Sequence, residues 1–245
     1  MIFRVAIENN NEGIRSIAWA LEHPGCYAYG ADGESALASL PAAIRDYAAW
    51  IAKHETPWLS TDEIEVRLEE AWTDYNINES YERDEKSDYY MVDAWFQHDW
   101  KPLTAIDVQR GLKMLAWSRA DLLKTVKGLS DEKLNQTCLG ERWSINGILK
   151  HVGGAECWYL DRLGLALPRE QIPDEPFARL KVSRARLNEI LPTLEGSKQV
   201  VGVDGEFWSP RKLLRRALWH ERDHIEHIRK LLKDLAGMKV PPFKP

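Results

Sequence analysis

Three histidines near the end of the chain are spaced so that they share one face of a helix. They are His220, His224 and His227, within the sequence LWHERDHIEHIRKLL. At about 100° per residue they fall on the apolar side of that helix or at its edge. The four-residue step from His220 to His224 brings their Cβ atoms within about 6 Å, a suitable spacing for two imidazoles on one metal ion. The pair is therefore predicted to bind a divalent metal, with a buried hydrogen-bond network as the alternative, and His227 is expected to support the site.

A third ligand has to come from another helix, and the candidate is His151 in the sequence ILKHVGGAECWYL. This histidine lies beside an apolar stripe. The glycines at 153 and 154 follow it and would let a neighbouring helix or a ligand come close. Neutral imidazole is a common ligand for zinc, nickel and iron. Three protein ligands would leave an open position on the ion, as catalytic rather than structural sites do.

The string from His220 to His224 also has the form HExxH, which in zinc proteases supplies two ligands and a glutamate general base. No glycine-histidine extension follows it in this chain, which disfavours a protease. Glu221 falls in the middle of the apolar arc, between Leu218 and Ile225. A buried carboxylate is costly unless it is paired. Glu221 could bind an arginine, orient a ligand histidine, or act catalytically by moving a proton near the metal.

The elements that position these residues differ between the two halves of the chain. Alternating β-branched residues predict strands in the first half, followed by a helix and a further strand. In the second half, apolar residues at three- and four-residue steps predict four helices, an arrangement typical of a four-helix bundle. The predicted strands are residues 3–8, 16–22, 26–30 and 63–72, and the predicted helices are residues 35–53, 104–127, 144–164, 175–194 and 210–236.

The predicted fold class is an α+β N-terminal module followed by an all-α four-helix bundle. The module is assigned to residues 1–73, an acidic linker to residues 74–92, and the bundle domain to residues 93–245. Residues 199–208 are predicted to form a hairpin with Asp204 and Gly205 in its turn. The basic run RKLLRRAL at 211–218 is predicted to be a solvated helix face.

Composition narrows the range of partners. The formal net charge is −5, which disfavours nucleic acid. The longest apolar stretch is shorter than a membrane span, and the first residues are too polar for a signal peptide. Three cysteines are an odd number and lie far apart, which favours a reducing compartment. A cytoplasmic location, no membrane association and no nucleic-acid partner are therefore expected, and a homodimer is left open.

The second half resembles the DinB-like (YfiT-like) superfamily of metal-binding four-helix bundles. The features that carry the resemblance are RWSINGILKHVGGAECWYL, GEFWSPRKLL and LWHERDHIEHIRKL, over about Asp93 to Gly237. The resemblance implies that His151, His220 and His224 bind a divalent metal with open positions. His227 stands where many relatives have glutamine. Members of the superfamily with an assigned activity are mostly transferases or isomerases that use low-molecular-weight thiols.

The first part of the chain resembles the HicB-like antitoxin fold. The resemblance covers about Met1 to Lys53 and is carried by the strand pair, PGCYAYGADGESAL and AAIRDYAAWI. Antitoxins of that kind usually add a DNA-binding segment. The sequence contains no basic helix-turn-helix or ribbon-helix-helix candidate, so DNA binding is not expected even with this fold.

These observations lead to two hypotheses about function. The first is a metal-dependent transferase or hydrolase that acts on a small molecule, with a low-molecular-weight thiol as a candidate substrate. The ion would be zinc, nickel, iron or manganese, and it would activate a bound thiol or water. The alternative is a non-enzymatic metal-binding regulatory or interaction protein that uses the HicB-like module to bind a partner.

Overall fold

The computed structural model describes residues 1–237, so the last part of the predicted bundle domain, residues 238–245, lies outside the described residues. The chain forms two compact units. The sheet unit consists of Met1–Asp107 together with Leu194–Trp219. The helical unit consists of Val108–Thr193 and, among the described residues that follow, 220–237. Within the described residues, no helix is both long and apolar enough to cross a lipid bilayer.

A four-stranded sheet forms the first part of the sheet unit. Its strands lie in the order β3-β2-β1-β4, with β1 parallel to β4 and the other pairs antiparallel. Helix α1 connects β3 to β4, as a parallel pairing requires, and Asp32 and Ser35 form a capping box at its start. The predicted strands and helix of this part are confirmed with small shifts of their ends. The bounds are β1 Ile2–Asn11, β2 Arg15–Ala20, β3 Tyr27–Gly30, α1 Gly33–Ala52 and β4 Glu65–Thr73.

The acidic stretch 74–92, which was predicted to be a linker, contains regular secondary structure. It contains strands β5 (Tyr75–Ile77) and β6 (Tyr90–Val92), which pair antiparallel. The side chains of Ile77 and Val92 are almost fully buried, which explains why an acidic segment is ordered. The predicted hairpin is also present, as β7 (Val201–Val203) and β8 (Glu206–Trp208).

The basic run at 211–218 is buried rather than solvated, so that prediction was wrong. It belongs to helix α6 (Pro210–Gly237). Each cation has an acidic partner within the sheet unit. These ion pairs explain why Leu194–Trp219 belongs to the sheet unit, although the sequence assigned it to the predicted bundle domain of residues 93–245. The pairs are Arg211 with Asp107 at 2.7 Å, Lys212 with Glu206, Arg215 with Asp99 at 2.6 Å, and Arg216 with Asp93 at 2.5 Å.

Four long helices supply the core of the helical unit, as expected for a four-helix bundle. Ser144 accepts a hydrogen bond from the Gly147 amide and caps the histidine-bearing helix α4, whose start was predicted at residue 144. The helices are α2 Ala105–Val126, the short α3 Asp131–Asn135, α4 Ile145–Asp161, α5 Pro176–Ile190 and α6. The shared core includes Leu122 and Val126 of α2, Ile148 and Val152 of α4, Leu180 of α5, and Ile225 and Ile228 of α6.

Candidate metal site

Three histidine side chains of the helical unit converge on one point. Nε2 of His220 lies 2.9 Å from Nε2 of His151 and 3.1 Å from Nε2 of His224. One ligand atom from each ring lies within 4.8 Å of the others. The structure therefore brings together the three residues that the sequence singled out, one from α4 and two from successive turns of α6.

Gly153 allows the close helix packing that surrounds His151. A Cβ atom at this position would lie 2.9 Å from Cγ of Arg179 and 3.1 Å from the Leu180 amide nitrogen, both on α5. Contacts this short are essentially not tolerated, so a side chain here would push α4 and α5 apart. The glycine serves helix packing, which is one of the two roles that the sequence left open.

The surroundings of the cluster are largely aromatic and desolvated. His220 and His224 are buried, and His151 is partly exposed. The Trp143 ring stacks on His151 with centroids 4.4 Å apart, and Tyr159 meets His220 edge-on at 6.0 Å. Burial, with a contribution from the Arg142 charge, lowers the pKa of His151, which favours the neutral ring. A neutral ring is the form that binds a metal ion.

The donor set fits a divalent cation better than a network of hydrogen bonds. A ring nitrogen carries either one proton or one lone pair. Nε2 of His220 can therefore make a good hydrogen bond to only one of its two neighbours, although both lie at hydrogen-bond distance. In a tetrahedral zinc site with Zn–N bonds of about 2.0–2.1 Å, ligand nitrogens are about 3.3 Å apart. The observed separations are close to that value.

Glu221 belongs to a buried network of four charges. It is 1% exposed, and its two oxygens accept hydrogen bonds from Nε of Arg119 at 2.5 Å and from Nη2 of Arg184 at 2.6 Å. Glu156 completes the network through both arginines and through Ser183 at 2.8 Å. Although burial opposes it, the charges of Arg184 and Arg119 lower the pKa of Glu156. This geometry favours arginine pairing by Glu221 over proton transfer.

His227 lies next to the converging histidines but outside their cluster. Its ring centroid is 5.8 Å from that of His224, and its Nε2 is 3.0 Å from Oε2 of Glu141. The His227 hydrogen bond is the main cause of the lowered pKa of Glu141. Sequence reasoning missed Glu141 and Trp143. Trp143 directly precedes the Ser144 cap and Glu141 lies three residues before it, so their place at the start of the histidine-bearing helix could have been inferred.

Comparison with known proteins finds similarity in the second half of the chain. Residues 112–180 match the family model described as MST, Mycothiol-S-transferase. A protein of Oceanobacillus iheyensis named "Putative metal-dependent hydrolase OB0413" is 25% identical over 158 residues, which are 55% of this chain and 91% of the relative.

Among solved structures, similarity is found to one described as "YfiT from Bacillus subtilis is a probable metal-dependent hydrolase with an unusual four-helix bundle topology". It shares 17% sequence identity with a TM-score of 0.44, over 55% of this chain and 90% of that chain. By sequence, the second half is thus similar to the Mycothiol-S-transferase family model and to a protein named as a putative metal-dependent hydrolase. The HicB-like fold of the first part stays a prediction.

Proposed function

We propose that the helical unit is a metal-dependent enzyme that acts on a small molecule, as a thiol transferase or a hydrolase. His151, His220 and His224 are its metal ligands in this proposal. The observation that carries it is the convergence of three ring nitrogens in an aromatic, desolvated setting: Nε2 of His220 lies no more than 3.1 Å from Nε2 of each of the other two histidines. A divalent ion held by three neutral imidazoles supplies Lewis-acid chemistry that lowers the pKa of a water or thiol.

Neighbouring residues of the chain would orient the site and move protons. Trp143 fixes the plane of the His151 ring by stacking on it. His227 lies next to His224 and is hydrogen-bonded to Glu141, so this pair is our candidate for accepting the proton of an incoming nucleophile. Glu221 holds the turn of α6 that carries His220, because its two arginine partners come from α2 and α5.

The relatives support the reaction class. Similarity to Mycothiol-S-transferase supports a thiol as the nucleophile, and similarity to a named metal-dependent hydrolase supports the metal. The family match spans His151 but ends before α6. The inclusion of His220 and His224 in the ligand set therefore rests on their geometry.

Elemental analysis of the full chain tests the ligand set. After dialysis against a weak chelator, we expect the wild type to retain a stoichiometric divalent metal and His224→Ala to lose it. His227→Ala is the matched control, because this histidine lies on the same helix outside the cluster, and it should retain the metal. Added metal should raise the melting temperature of the wild type with concentration, as RT ln(1 + [L]/Kd) requires, but not that of His224→Ala. Equal metal in the wild type and His224→Ala would mean that the ligands are wrong.

A substrate screen for turnover distinguishes the proposed enzyme from the alternative, a regulatory metal-binding protein. The metal-loaded wild type is screened with low-molecular-weight thiols plus electrophiles, and with hydrolysable amides and esters. We expect turnover that disappears in His224→Ala and returns to the stripped wild type when metal is added back. A protein that binds stoichiometric metal but turns over none of these substrates would support the regulatory alternative.

A further inference from the structure

A second cluster of chemically reactive groups lies within the sheet unit. It consists of Glu8 on β1, Asp74 directly after β4 and Asp93 directly after β6, and we call it the acidic triad. One carboxylate oxygen from each residue lies within 4.8 Å of the others. Three carboxylates at this distance repel one another strongly when all are ionised.

Within the described part of the chain, Asp74 makes no direct ion pair, although the charge of Arg216 acts on its carboxylate. Its side chain is 1% exposed, and neither carboxylate oxygen has a hydrogen-bond partner. Its backbone is fixed, because its amide donates to the Asn9 carbonyl at 2.9 Å and its carbonyl accepts from the Asn10 side chain at 3.1 Å. The carboxylate is therefore held in place facing Glu8 and Asp93. A buried and unpaired carboxylate is among the costliest groups a fold can contain.

The other two members are only partly compensated. Glu8 is fully buried and accepts from the Trp19 indole at 2.8 Å. Asp93 pairs with Arg216 at 2.5 Å, and the same guanidinium lies 3.6 Å from Glu8. When all three carboxylates are ionised, as they would be around a cation, one arginine leaves an excess of two negative charges. Burial, and then the charges of Glu8 and Asp93, raise the pKa of Asp74 to about 10, which reports the same excess.

We propose that the acidic triad binds a divalent, oxygen-preferring cation such as Ca²⁺, Mg²⁺ or Mn²⁺. The charge of the ion equals the excess of the triad, and the triad can offer several carboxylate oxygens, the ligands that these hard cations prefer. Asp93 is 18% exposed and gives the ion a route from solvent. The site is independent of the histidine cluster, whose nitrogen donors select a different group of metals.

Terbium luminescence on the full chain tests this site. Tb³⁺ is an oxygen-preferring stand-in for Ca²⁺ whose emission is sensitised by a nearby tryptophan, and Trp19 directly contacts the triad. We expect sensitised emission that Ca²⁺ displaces in the wild type. Asp74→Asn should weaken Tb³⁺ binding at least tenfold. The matched control is Asp88→Asn, which removes an exposed carboxylate of the same segment and should leave the emission unchanged.

Thermal melting gives a second measurement. Calcium at about a hundredfold its dissociation constant should raise the melting temperature of the wild type by about 5–10 °C, and that of Asp74→Asn by much less. Asp74→Asn removes a buried charge and should fold; Glu8→Gln is the second variant and should also lose the calcium response. An equal calcium response in the wild type and both variants would overturn the proposal. A wild type that responds to none of the three ions would also overturn it and leave a shared proton as the neutralising group.

Discussion

Replacing Glu221 with glutamine should reveal how much of the stability of the helical unit depends on its buried charges. In the native network two carboxylates, Glu156 and Glu221, balance two guanidiniums, Arg119 and Arg184. Glu221→Gln keeps the shape but leaves one carboxylate for two buried arginines. Removing one partner of a buried ion pair typically costs about 3–5 kcal/mol, because the remaining charge is uncompensated. That is a large share of the about 5–15 kcal/mol by which native proteins are stable.

Urea denaturation followed by far-UV circular dichroism measures this cost. The control is Glu226→Gln on the same helix, where the carboxylate and its partner Arg229 are both exposed. That change should cost about 0.5 kcal/mol or less, because exposed ion pairs contribute little. Both variants should retain their metal when folded, because neither change removes a proposed ligand.

A cost below about 1 kcal/mol for Glu221→Gln would refute the reasoning, since it would mean that the arginines do not depend on this carboxylate. The double variant with Arg184→Met sharpens the test. Removing one acid and one base together restores the balance of charges. The two substitutions should therefore be non-additive, with a coupling of about 0.5–3 kcal/mol.

Two further predictions concern the sheet unit. Gly205 has a φ of +75°, and a Cβ there would lie 3.1 Å from Cδ1 of Ile77, so Gly205→Ala should destabilise by more than the about 1–2 kcal/mol of backbone strain alone. Gly13→Ala, with a φ of +74° and open space around it, measures that strain by the same urea titration. Burial, and then the Arg211 charge, lower the pKa of His98 to about 4, so this ring folds neutral. The free energy of unfolding of the wild type should therefore fall by about 3 kcal/mol as the pH drops from ~6.5 to 4, because the unfolded chain binds a proton at this histidine and the folded one does not. His98→Leu should not show that fall. Wild type and His98→Leu that depend equally on pH between 7 and 4 would contradict this.

The helical unit was largely predictable because its signals are local. The four-residue step between His220 and His224 and the Ser144 cap depend on residues within one or two turns. The same reasoning could have found the buried network. Glu221 interrupts an apolar stripe between Leu218 and Ile225, and Arg119 interrupts one between Leu115 and Leu122. A charge in such a position predicts a buried partner of opposite sign on another helix.

The sheet unit was harder to predict because its charges are satisfied over long distances in sequence. The acidic stretch and the basic start of α6 each have the composition of a solvated surface. The first was therefore interpreted as a linker and the second as a solvated helix face. The cations at the start of α6 in fact pair with acidic residues that follow this stretch: Arg215 pairs with Asp99, and Arg216 pairs with Asp93, across 116 and 123 residues. Composition alone cannot identify such partners, because the pairing depends on the topology that brings the segments together.

Evolutionary drift of this chain is constrained by the four charges of the buried network. They come from four different helices, α2, α4, α5 and α6, and each is tolerated in the core because the others are present. Exchange of a single member passes through an intermediate with an unbalanced buried charge, whereas joint exchange of an acid and a base does not. Descendants of this sequence should therefore keep all four charges or lose them in acid–base pairs, so the network would be inherited as a linked set of residues.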